Sequence, residues 1–301
     1  MGWNWRLALG ATLLTASSVT AAESEPGMRV VTLNLFHGGA SSGLIGDAGQ
    51  LEARLTIVTA ELRALRPDLV ALQEASVGWG RGNVAARLGD ALGLHHVHAP
   101  ATSRVSPLAL LNRVLVALMN FNEGPAVLSR FPITASAVHD LPRCERTLDP
   151  RVMLETEVAT PWGPLRVYST HTGRDPCQHQ RVAELVLAGR GRLPSILMGD
   201  FNAVEDAPSI ASLVNGAGFV DAFRAANADT PGPTVWQRIE VETPTVFRRV
   251  DYVFVLPGTA GSPRVAASRV VLNAPGRLGD GRPLWPSDHY GVLADLVLAE
   301  P

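Results

Sequence analysis

Apolar residues along the chain follow two patterns, helical spacing and short dense runs. Over residues 51–65 they recur every three or four positions between charged residues such as Glu52 and Arg63, which predicts an amphipathic helix that ends before Pro67. Three other segments have helical character and are predicted helices: residues 82–93, 178–187 and 208–216.

Short dense apolar runs predict the β-strands. These runs cover residues 28–35, 69–72, 95–99, 126–129, 152–158, 165–169, 196–198, 250–255, 264–272 and 291–298. Helices separate some of these strands, other strands follow one another directly, and no long linker divides the chain. This order favours a mixed α/β sandwich in a single domain.

Residues 107–121 form an almost wholly apolar segment whose single charged residue is Arg113. A helix of this composition is normally part of a core, so we expect it to be buried. The alternative is an exposed lid or a lipid-contacting element, because the segment lies between two predicted strand regions.

The first 22 residues contain the three parts of a secretory signal. Arg6 supplies the positive charge, residues 7–14 the apolar centre and residues 19–22 the small residues of a cleavage site. We therefore predict a signal peptide over residues 1–22, a folded domain over residues 28–301 and a secreted or periplasmic protein. An uncleaved anchor is the alternative, which the short apolar centre disfavours.

Composition and charge exclude few kinds of binding partner. Hydrophobic residues make up 46% of the chain and charged residues 18%, an ordinary globular mixture that can form a sizeable core. The formal net charge is −2, and every basic residue is an arginine without any basic tract. The charge pattern therefore neither favours nor excludes nucleic acid as a partner.

Cys144 and Cys177 are the only cysteines. A disulfide between them is the expected state in an exported protein, and it would stabilise the fold by about 3 kcal/mol in the chain-entropy model. Two buried free thiols are the alternative, since neither cysteine has the spacing of a metal-ligand motif.

Polar residues end several apolar runs, and their chemistry suits the hydrolysis of a phosphate ester. That reaction needs a hard cation, a deprotonated water in line with the leaving group, and donors for the developing oxyanion. Seven motifs of this kind occur in the order found in the endonuclease/exonuclease/phosphatase superfamily, which the chain resembles over residues 29–298. The motifs are Asn34, Gln73-Glu74, Leu128-Ser129-Arg130-Phe131-Pro132-Ile133, Thr170-His171, Gly199-Asp200-Phe201-Asn202, Arg249-Val250-Asp251-Tyr252-Val253 and Ser287-Asp288-His289.

The resemblance implies a four-layer α/β/β/α sandwich with two packed mixed β-sheets. It also implies a metal site made by Asn34, Glu74 and Asp288, with Asn34 bridging metal and phosphate. Glu74 ends an apolar strand, so its charge needs a partner, and a divalent ion such as Mg²⁺, Mn²⁺ or Ca²⁺ fits this need. A salt bridge from Glu74 to an arginine is the alternative.

The resemblance also implies the catalytic residues. His289 is the general base or the imidazolium partner of the phosphate, and Asp251 orients its ring. Asp200 positions or deprotonates the attacking water, and Asn202 donates to a phosphate oxygen. His171 stabilises the transition state, unless it is a turn histidine bonded to the backbone.

Three arginines, Arg130, Arg174 and Arg249, lie in or beside these motifs and are the candidate substrate-binding residues. The other histidines, among them His37, carry no motif, and we assign them to the surface or to packing. Phe36 stands where abasic-site endonucleases carry an acidic residue, so one metal contact of that branch is missing.

The sequence does not decide whether the substrate is a phosphodiester or a phosphomonoester. It also leaves two substrate classes open, nucleic acids and lipid headgroups. A secreted nuclease would hold the nucleic-acid backbone through arginines. A lipid-headgroup hydrolase similar to the sphingomyelinases would contact the membrane peripherally through residues 107–121 and through Trp285. A non-catalytic binding module is a third possibility, which the retained histidines and carboxylates disfavour. We expect a monomer.

Overall fold

The computed structural model contains two mixed β-sheets and the helices that cover them. It describes residues 1, 27–37, 49–101, 108–119, 122–144, 150–235, 238–261 and 263–298. Apart from Met1, the predicted signal peptide over residues 1–22 lies outside this set. Within it, no helix has both the length and the apolar character needed to cross a membrane.

In the described part of the chain, strands contain more residues than helices do. They are β1 (Gly27–Asn34), β2 (Leu69–Gly78), β3 (Gly82–Asn83), β4 (His95–His98), β5 (Glu123–Ser129), β6 (Ile133–Asp140), β7 (Val152–Thr160), β8 (Gly163–His171), β9 (Ser195–Asp200), β10 (Val220–Asp221), β11 (Asp251–Leu256), β12 (Arg264–Val271), β13 (Gly276–Arg277), β14 (Pro283–Leu284) and β15 (Gly291–Val297). The helices are α1 (Leu51–Leu65), α2 (Val84–Leu92), α3 (Ala109–Met119), α4 (Pro176–Ala188), α5 (Pro208–Ala211), which continues as a π-helical turn (Ser212–Gly216), and α6 (Ala222–Ala226).

Each large sheet is built around one parallel pair of strands. The first sheet has the order β12-β15-β1-β2-β5-β4, with β3 paired to β2, and its parallel pair is β1 and β2. The second sheet has the order β10-β11-β9-β8-β7-β6, and its parallel pair is β8 and β9. A helix connects each parallel pair, α1 in the first sheet and α4 in the second, because parallel neighbours need a crossover.

The two sheets pack face to face around the largest apolar core. Val30 and Leu69 of the first sheet meet Val167, Met198 and Val253 of the second sheet in this core, and all five are fully buried. Their burial provides the main stabilisation of the sandwich, at about 1.5–3 kcal/mol for each large aliphatic side chain.

Helices cover the outer face of each sheet. Leu55 and Val58 of α1 and Leu88 of α2 pack on the first sheet, while Val182 of α4 and Ile210 of α5 pack on the second. The layers therefore follow the order α/β/β/α, and the predicted four-layer sandwich with two mixed sheets is confirmed.

Helix α3 does not lie in either helical layer. We expected its apolar residues to be buried, but Leu110, Val114 and Leu118 are 77%, 47% and 54% exposed, and Leu111 is exposed as well. Leu110, Val114 and Leu118 recur every four residues and so form one stripe along the helix. Asn112, on another side, is buried. The expectation of burial is wrong, and the alternative of an exposed apolar element describes α3.

Candidate active site

The two-residue repeat of the strands brings three predicted catalytic residues to one rim of the sandwich. Ile196 and Met198 of β9 point into the core between the sheets, so Asp200 at the end of this strand faces the same side. The same alternation applies to Asp251 at the start of β11 and to His171 at the end of β8. Asp200 pairs with both residues in the sheet, so all three side chains lie at one edge.

Glu74 reaches this rim through an irregularity in β2. Leu72 points outward to the helices, so simple alternation would direct Glu74 outward as well. The pairing of β2 with β5 shifts between Leu72 and Ala75, and Glu74 has a left-handed backbone with φ 54°. This bulge turns the carboxylate into the site, at a cost on the order of 1 kcal/mol for a non-glycine residue.

Asn34 connects the two sheets at the rim. Its side-chain amide donates to Glu74 Oε1 at 3.0 Å and to Asp200 Oδ2 at 3.1 Å, and its carbonyl oxygen accepts from the backbone N–H of Phe36. Asn34 is thus a donor that holds two carboxylates in place, and its role as a metal ligand stays a prediction.

His171 and Asn202 lie on the other side of Asp200. His171 Nε2 is 3.3 Å from Asp200 Oδ2 and 3.0 Å from Asn202 Nδ2. The backbone N–H of Asn202 donates to Asp200 Oδ1, and its left-handed backbone, with φ 51°, turns its side chain back towards His171. The imidazole of His171 therefore faces the cluster rather than serving as a turn histidine.

His289 and Asp251 form the pair that the sequence predicted. His289 Nδ1 is 2.9 Å from Asp251 Oδ2, and its Nε2 is 3.7 Å from Asp200 Oδ2. Thr234 also contacts the pair, because its hydroxyl accepts from the backbone N–H of Asp251. With Nδ1 held by Asp251, Nε2 points towards the place where Asp200 and Asn202 converge.

The charges in the cluster set its protonation at neutral pH. Burial alone would lower the pKa of His289, but the charges of Asp251 and Asp200 and the hydrogen bond to Asp251 outweigh it and raise the pKa to about 10. Burial would raise the pKa of Asp200, yet the charges of His171 and His289 bring it down to about 2. At neutral pH, His289 is an imidazolium and Asp200 is a carboxylate.

Two acidic residues beside Glu74, in contrast to Asp200, have raised pKa values. Burial and the charge of Glu74 raise the pKa of Glu123 to about 6. Burial and the same charge, against the opposing charge of His289, raise the pKa of Asp288 to about 6. Glu123 Oε2 accepts no hydrogen bond within the described part of the chain.

Sequence reasoning missed two residues of the rim. His37, assigned to the surface or to packing, is buried, and its Nδ1 lies 3.3 Å from Glu74 Oε2. Glu123 was not singled out because it precedes an apolar strand without a motif. Its position opposite Ser76, just past the bulge of β2, was not visible in the sequence and depends on how β5 pairs with β2.

The candidate substrate-binding arginines are not together. Arg130 follows the end of β5 that pairs with the start of β2, and it forms an ion pair with Asp68 at 2.8 Å, at the opposite end of these strands from Glu74. This ion pair does not support a role for Arg130 in binding substrate, and that role stays a prediction. Arg174 is exposed and lies three residues after His171, so its role stays a prediction.

Arg249 is a buried structural cation rather than a group open to substrate. Its Nη2 pairs with Asp221 at 2.7 Å and with Glu205, and its guanidinium lies over the ring of Tyr252. Two carboxylates already neutralise the charge of Arg249, and its role in binding substrate stays a prediction. Cys144 and Cys177 are joined in a disulfide, which ties the segment after β6 to α4.

Comparison with known proteins identifies the family. The model of the endonuclease/exonuclease/phosphatase family matches residues 31–289. The chain belongs to this family. Members of the endonuclease/exonuclease/phosphatase family are hydrolases that act on phosphate esters, and they generally depend on a divalent metal ion. No curated protein matches the chain.

Solved structures of the same family share the fold. A member from Beutenbergia cavernae is 26% identical, with a TM-score of 0.64, and the match covers 91% of this chain and 72% of that one. A mannosyl-6-phosphatase from Bacteroides thetaiotaomicron is 19% identical, with a TM-score of 0.68 over 90% and 99% of the two chains. TDP2 of Caenorhabditis elegans, in truncated form, is 15% identical, with a TM-score of 0.61 over 90% and 97%.

The donor set of this family member fits a divalent cation. Glu74 and Asp288 are carboxylates close enough for the charge of Glu74 to raise the pKa of Asp288, and Glu123, which is buried as Asp288 is, adds a third carboxylate. Buried carboxylates are rarely left without a neutralising partner, and oxygen ligands are those preferred by Mg²⁺, Mn²⁺ and Ca²⁺. No arginine forms an ion pair with Glu74 among the described residues, so the alternative of a salt bridge lacks support.

Proposed function

We propose that this protein is an exported, metal-dependent phosphoesterase that hydrolyses a phosphodiester or phosphomonoester by in-line attack of water. The observation that carries the proposal is the convergence of a protonated His289, an ionised Asp200 and the carboxylate Glu74 at one rim, from elements of both sheets. The predicted signal peptide supports export. The domain is proposed to extend over residues 28–301.

Glu74 and Asp288 would hold the cation, with Asn34 as the third predicted contact. A bound divalent ion would supply charge neutralisation to the phosphate oxygens. Mg²⁺ is the first expectation because the ligands are oxygens, with Mn²⁺ and Ca²⁺ as alternatives.

The protein groups have complementary tasks around the phosphate. Asp200 remains ionised at neutral pH, so it can accept a hydrogen bond from the attacking water and orient it. His289, fixed by Asp251, donates from Nε2 to a phosphate oxygen as negative charge develops there. Asn202 and His171 contribute further polar contacts. Of the two roles predicted for His289, its protonation favours the imidazolium partner over the general base.

The exposed face of α3 favours a lipid headgroup over nucleic acid as the substrate. Leu110, Val114 and Leu118 offer a solvent-facing apolar stripe that an interfacial enzyme can insert at a membrane surface. Two of the three candidate substrate-binding arginines, Arg130 and Arg249, are instead paired with carboxylates. A secreted nuclease is the alternative substrate class.

Hydrolysis of bis(p-nitrophenyl) phosphate with added metal tests the reaction. Asp200→Ala and His289→Ala are expected to lower kcat by about 10²–10⁴-fold, the range of a positioned proton-transfer or charged group. His95→Ala, on the exposed edge of β4, is the matched control and should retain parent activity. If the Asp200 or His289 variant hydrolyses the ester as fast as the parent, the proposed mechanism is wrong.

Liposome sedimentation tests the substrate class. The double variant Leu110→Gln/Leu118→Gln should lose binding to phosphatidylcholine–sphingomyelin vesicles and activity on them, yet keep its activity on the soluble diester. Leu187→Gln, an exposed leucine on α4, is the control and should bind as the parent does. Plasmid nicking by the parent without vesicle binding would favour the nuclease instead.

A further inference from the structure

His37, Glu74 and Glu123 form a second group of ligand-type side chains at the rim. They belong to three separate elements, the loop after β1, the bulge of β2 and the start of β5. We propose that these three residues bind a second divalent cation, a transition-metal ion, next to the predicted site of Asn34, Glu74 and Asp288.

The geometry of the three side chains suits one small ion. One ligand atom from each residue lies within 4.8 Å of the others. Nitrogen and oxygen ligands bind such an ion at about 2.0–2.2 Å, so they stand about 3–4 Å apart around it. Small side-chain adjustments are therefore enough to close the site.

Glu123 gives an independent indication of a ligand. Its side chain is more than nine-tenths buried, and its Oε2 accepts no hydrogen bond within the described residues. An oxygen atom of a carboxylate that is removed from water without a donor is costly unless a cation or proton satisfies it. Glu74, the acidic neighbour, cannot supply a donor, whereas a cation held between the two carboxylates would satisfy both.

The two oxygens of Glu74 face different sides. Oε1 accepts from Asn34 and lies 3.9 Å from His171 Nδ1, on the side of the catalytic cluster. Oε2 faces the backbone N–H and the ring of His37, each at 3.3 Å. Glu74 is therefore placed to bridge two cations, one on each side, and it is the only residue that the second site shares with the predicted catalytic and metal residues.

The ligand types decide which ion the second site prefers. Mg²⁺ and Ca²⁺ favour oxygen ligands alone, whereas imidazole combined with carboxylates suits Mn²⁺ or Zn²⁺. His37 thus distinguishes the second site from the first. The inference extends the proposed function because Glu74 is shared, but binding of the second ion is measured without any substrate.

Equilibrium dialysis with Mn²⁺, followed by metal analysis, tests the proposal on the full chain. The parent is expected to bind two Mn²⁺ per chain, and Mg²⁺ in excess should displace one of them. Glu123→Gln and His37→Gln should each bind one. The control variants Glu184→Gln and His95→Gln, both at exposed positions, should still bind two.

Pulsed EPR of Mn²⁺ gives a second readout, whose result for the parent does not depend on the folding of any variant. A ¹⁴N coupling from a coordinated imidazole is expected in the parent and should disappear in His37→Gln. One bound ion in the parent, two in Glu123→Gln, or a nitrogen coupling that persists without His37 would each overturn the second site. A parent that binds no ion at all would overturn the metal dependence of the proposed function as well.

Discussion

Individual residues of the rim hold one another in charge states that none would have alone. Five carboxylates and three imidazoles lie at the rim, and the sign of each resolved pKa shift depends on whether burial or a neighbouring charge is stronger. His289 is protonated because the carboxylates around it outweigh its burial. Asp288 is shifted the other way because burial and Glu74 outweigh His289.

Asp288→Asn is expected to stabilise the protein in the absence of metal. Burial raises the folded-state pKa of Asp288 to about 6, above its usual value of 3.8, so its charged form destabilises the fold as the pH rises from about 4 to 6. The variant should gain up to about 3 kcal/mol in free energy of unfolding above pH 6, with no gain below pH 4. Urea unfolding with EDTA between pH 4 and 8 measures this.

Bound metal should reverse the effect of Asp288→Asn on the stability of the protein. With saturating Mg²⁺ the free energy of unfolding of the parent should rise relative to that of the variant, because the variant has lost a ligand for the ion. The Asp295→Asn variant, which breaks an ion pair with Arg29 at the opposite end of the first sheet, is a control that should not respond to metal in this way. A metal-free Asp288→Asn protein that is less stable than the parent at pH 8 would contradict the prediction.

Asp251→Asn is expected to move the alkaline limit of activity to lower pH. Activity needs protonated His289, so in the parent it should decline as the pH rises towards about 10. Without the charge of Asp251 the pKa of His289 falls, and the decline begins at lower pH. Profiles of kcat against pH, compared with Glu155→Gln, which alters the His139–Glu155 pair elsewhere, test this. Identical limits in parent and Asp251→Asn would refute it.

For individual residues of the site, the sequence predicted which residues are involved better than how they are arranged. Asp251 and His289 are 38 positions apart, and their pairing came from the family resemblance rather than from spacing. His37 and Glu123 could not be found because their relevance depends on the bulge of β2 and on the pairing of β5. The ion pairs of Arg249 with Asp221 and Glu205 could not be predicted, because its motif contains no sign of these partners.

Elements with a clear apolar signal were predicted close to their observed bounds, and those facing solvent were not. Helix α1 matches its predicted range because its apolar spacing reflects a buried face. Strand β6 was missed because most of its residues are exposed, so selection for a hydrophobic repeat is weak. In α3 the apolar residues gave the helix but not its environment, since composition alone does not distinguish a core from an interface.

Gly199→Ala tests how tightly β8 and β9 are packed at the site. A Cβ at Gly199 would lie 2.1 Å from the backbone oxygen of Thr170, and backbone cannot move aside as a side chain can. The strands must separate, which displaces the neighbouring Asp200. We expect a loss on the order of 2–3 kcal/mol in unfolding free energy and a fall in kcat in the folded fraction.

Gly191→Ala is the matched control for this prediction, because a Cβ there meets no atom within 4 Å. It should leave both stability and kcat within a small margin of the parent. A Gly199→Ala protein with parent stability would show that β8 and β9 can separate at this point without cost.

Across the whole molecule, the residues predicted to bind metal belong to the first sheet, and most of those proposed to act on the water and the phosphate belong to the second. The predicted metal residues Asn34, Glu74 and Asp288 lie on β1, β2 and the segment before β15, all in the first sheet. His171, Asp200 and Asn202, which are expected to face the water or the phosphate, and Asp251, which orients His289, lie on or next to β8, β9 and β11 of the second sheet, whereas His289 itself follows Asp288 in the segment before β15. A substrate phosphate would therefore join the sheets at their shared rim.

Hydrogen exchange with and without ligands tests this division. Mg²⁺ alone should slow exchange mainly in β1 and β2, because its ligands belong to the first sheet. Mg²⁺ with inorganic phosphate should also slow exchange in β8, β9 and β11, and should raise Tm further, as expected for a ligand that binds only the folded state. At 100 times its Kd, the phosphate should add about 2.7 kcal/mol to the free energy of unfolding.

Asn202→Ala should keep the response to Mg²⁺ and lose most of the added response to phosphate, because Asn202 lies on the second sheet's side of the rim. Protection by phosphate that stays within the first sheet would show that the phosphate does not bridge the two sheets.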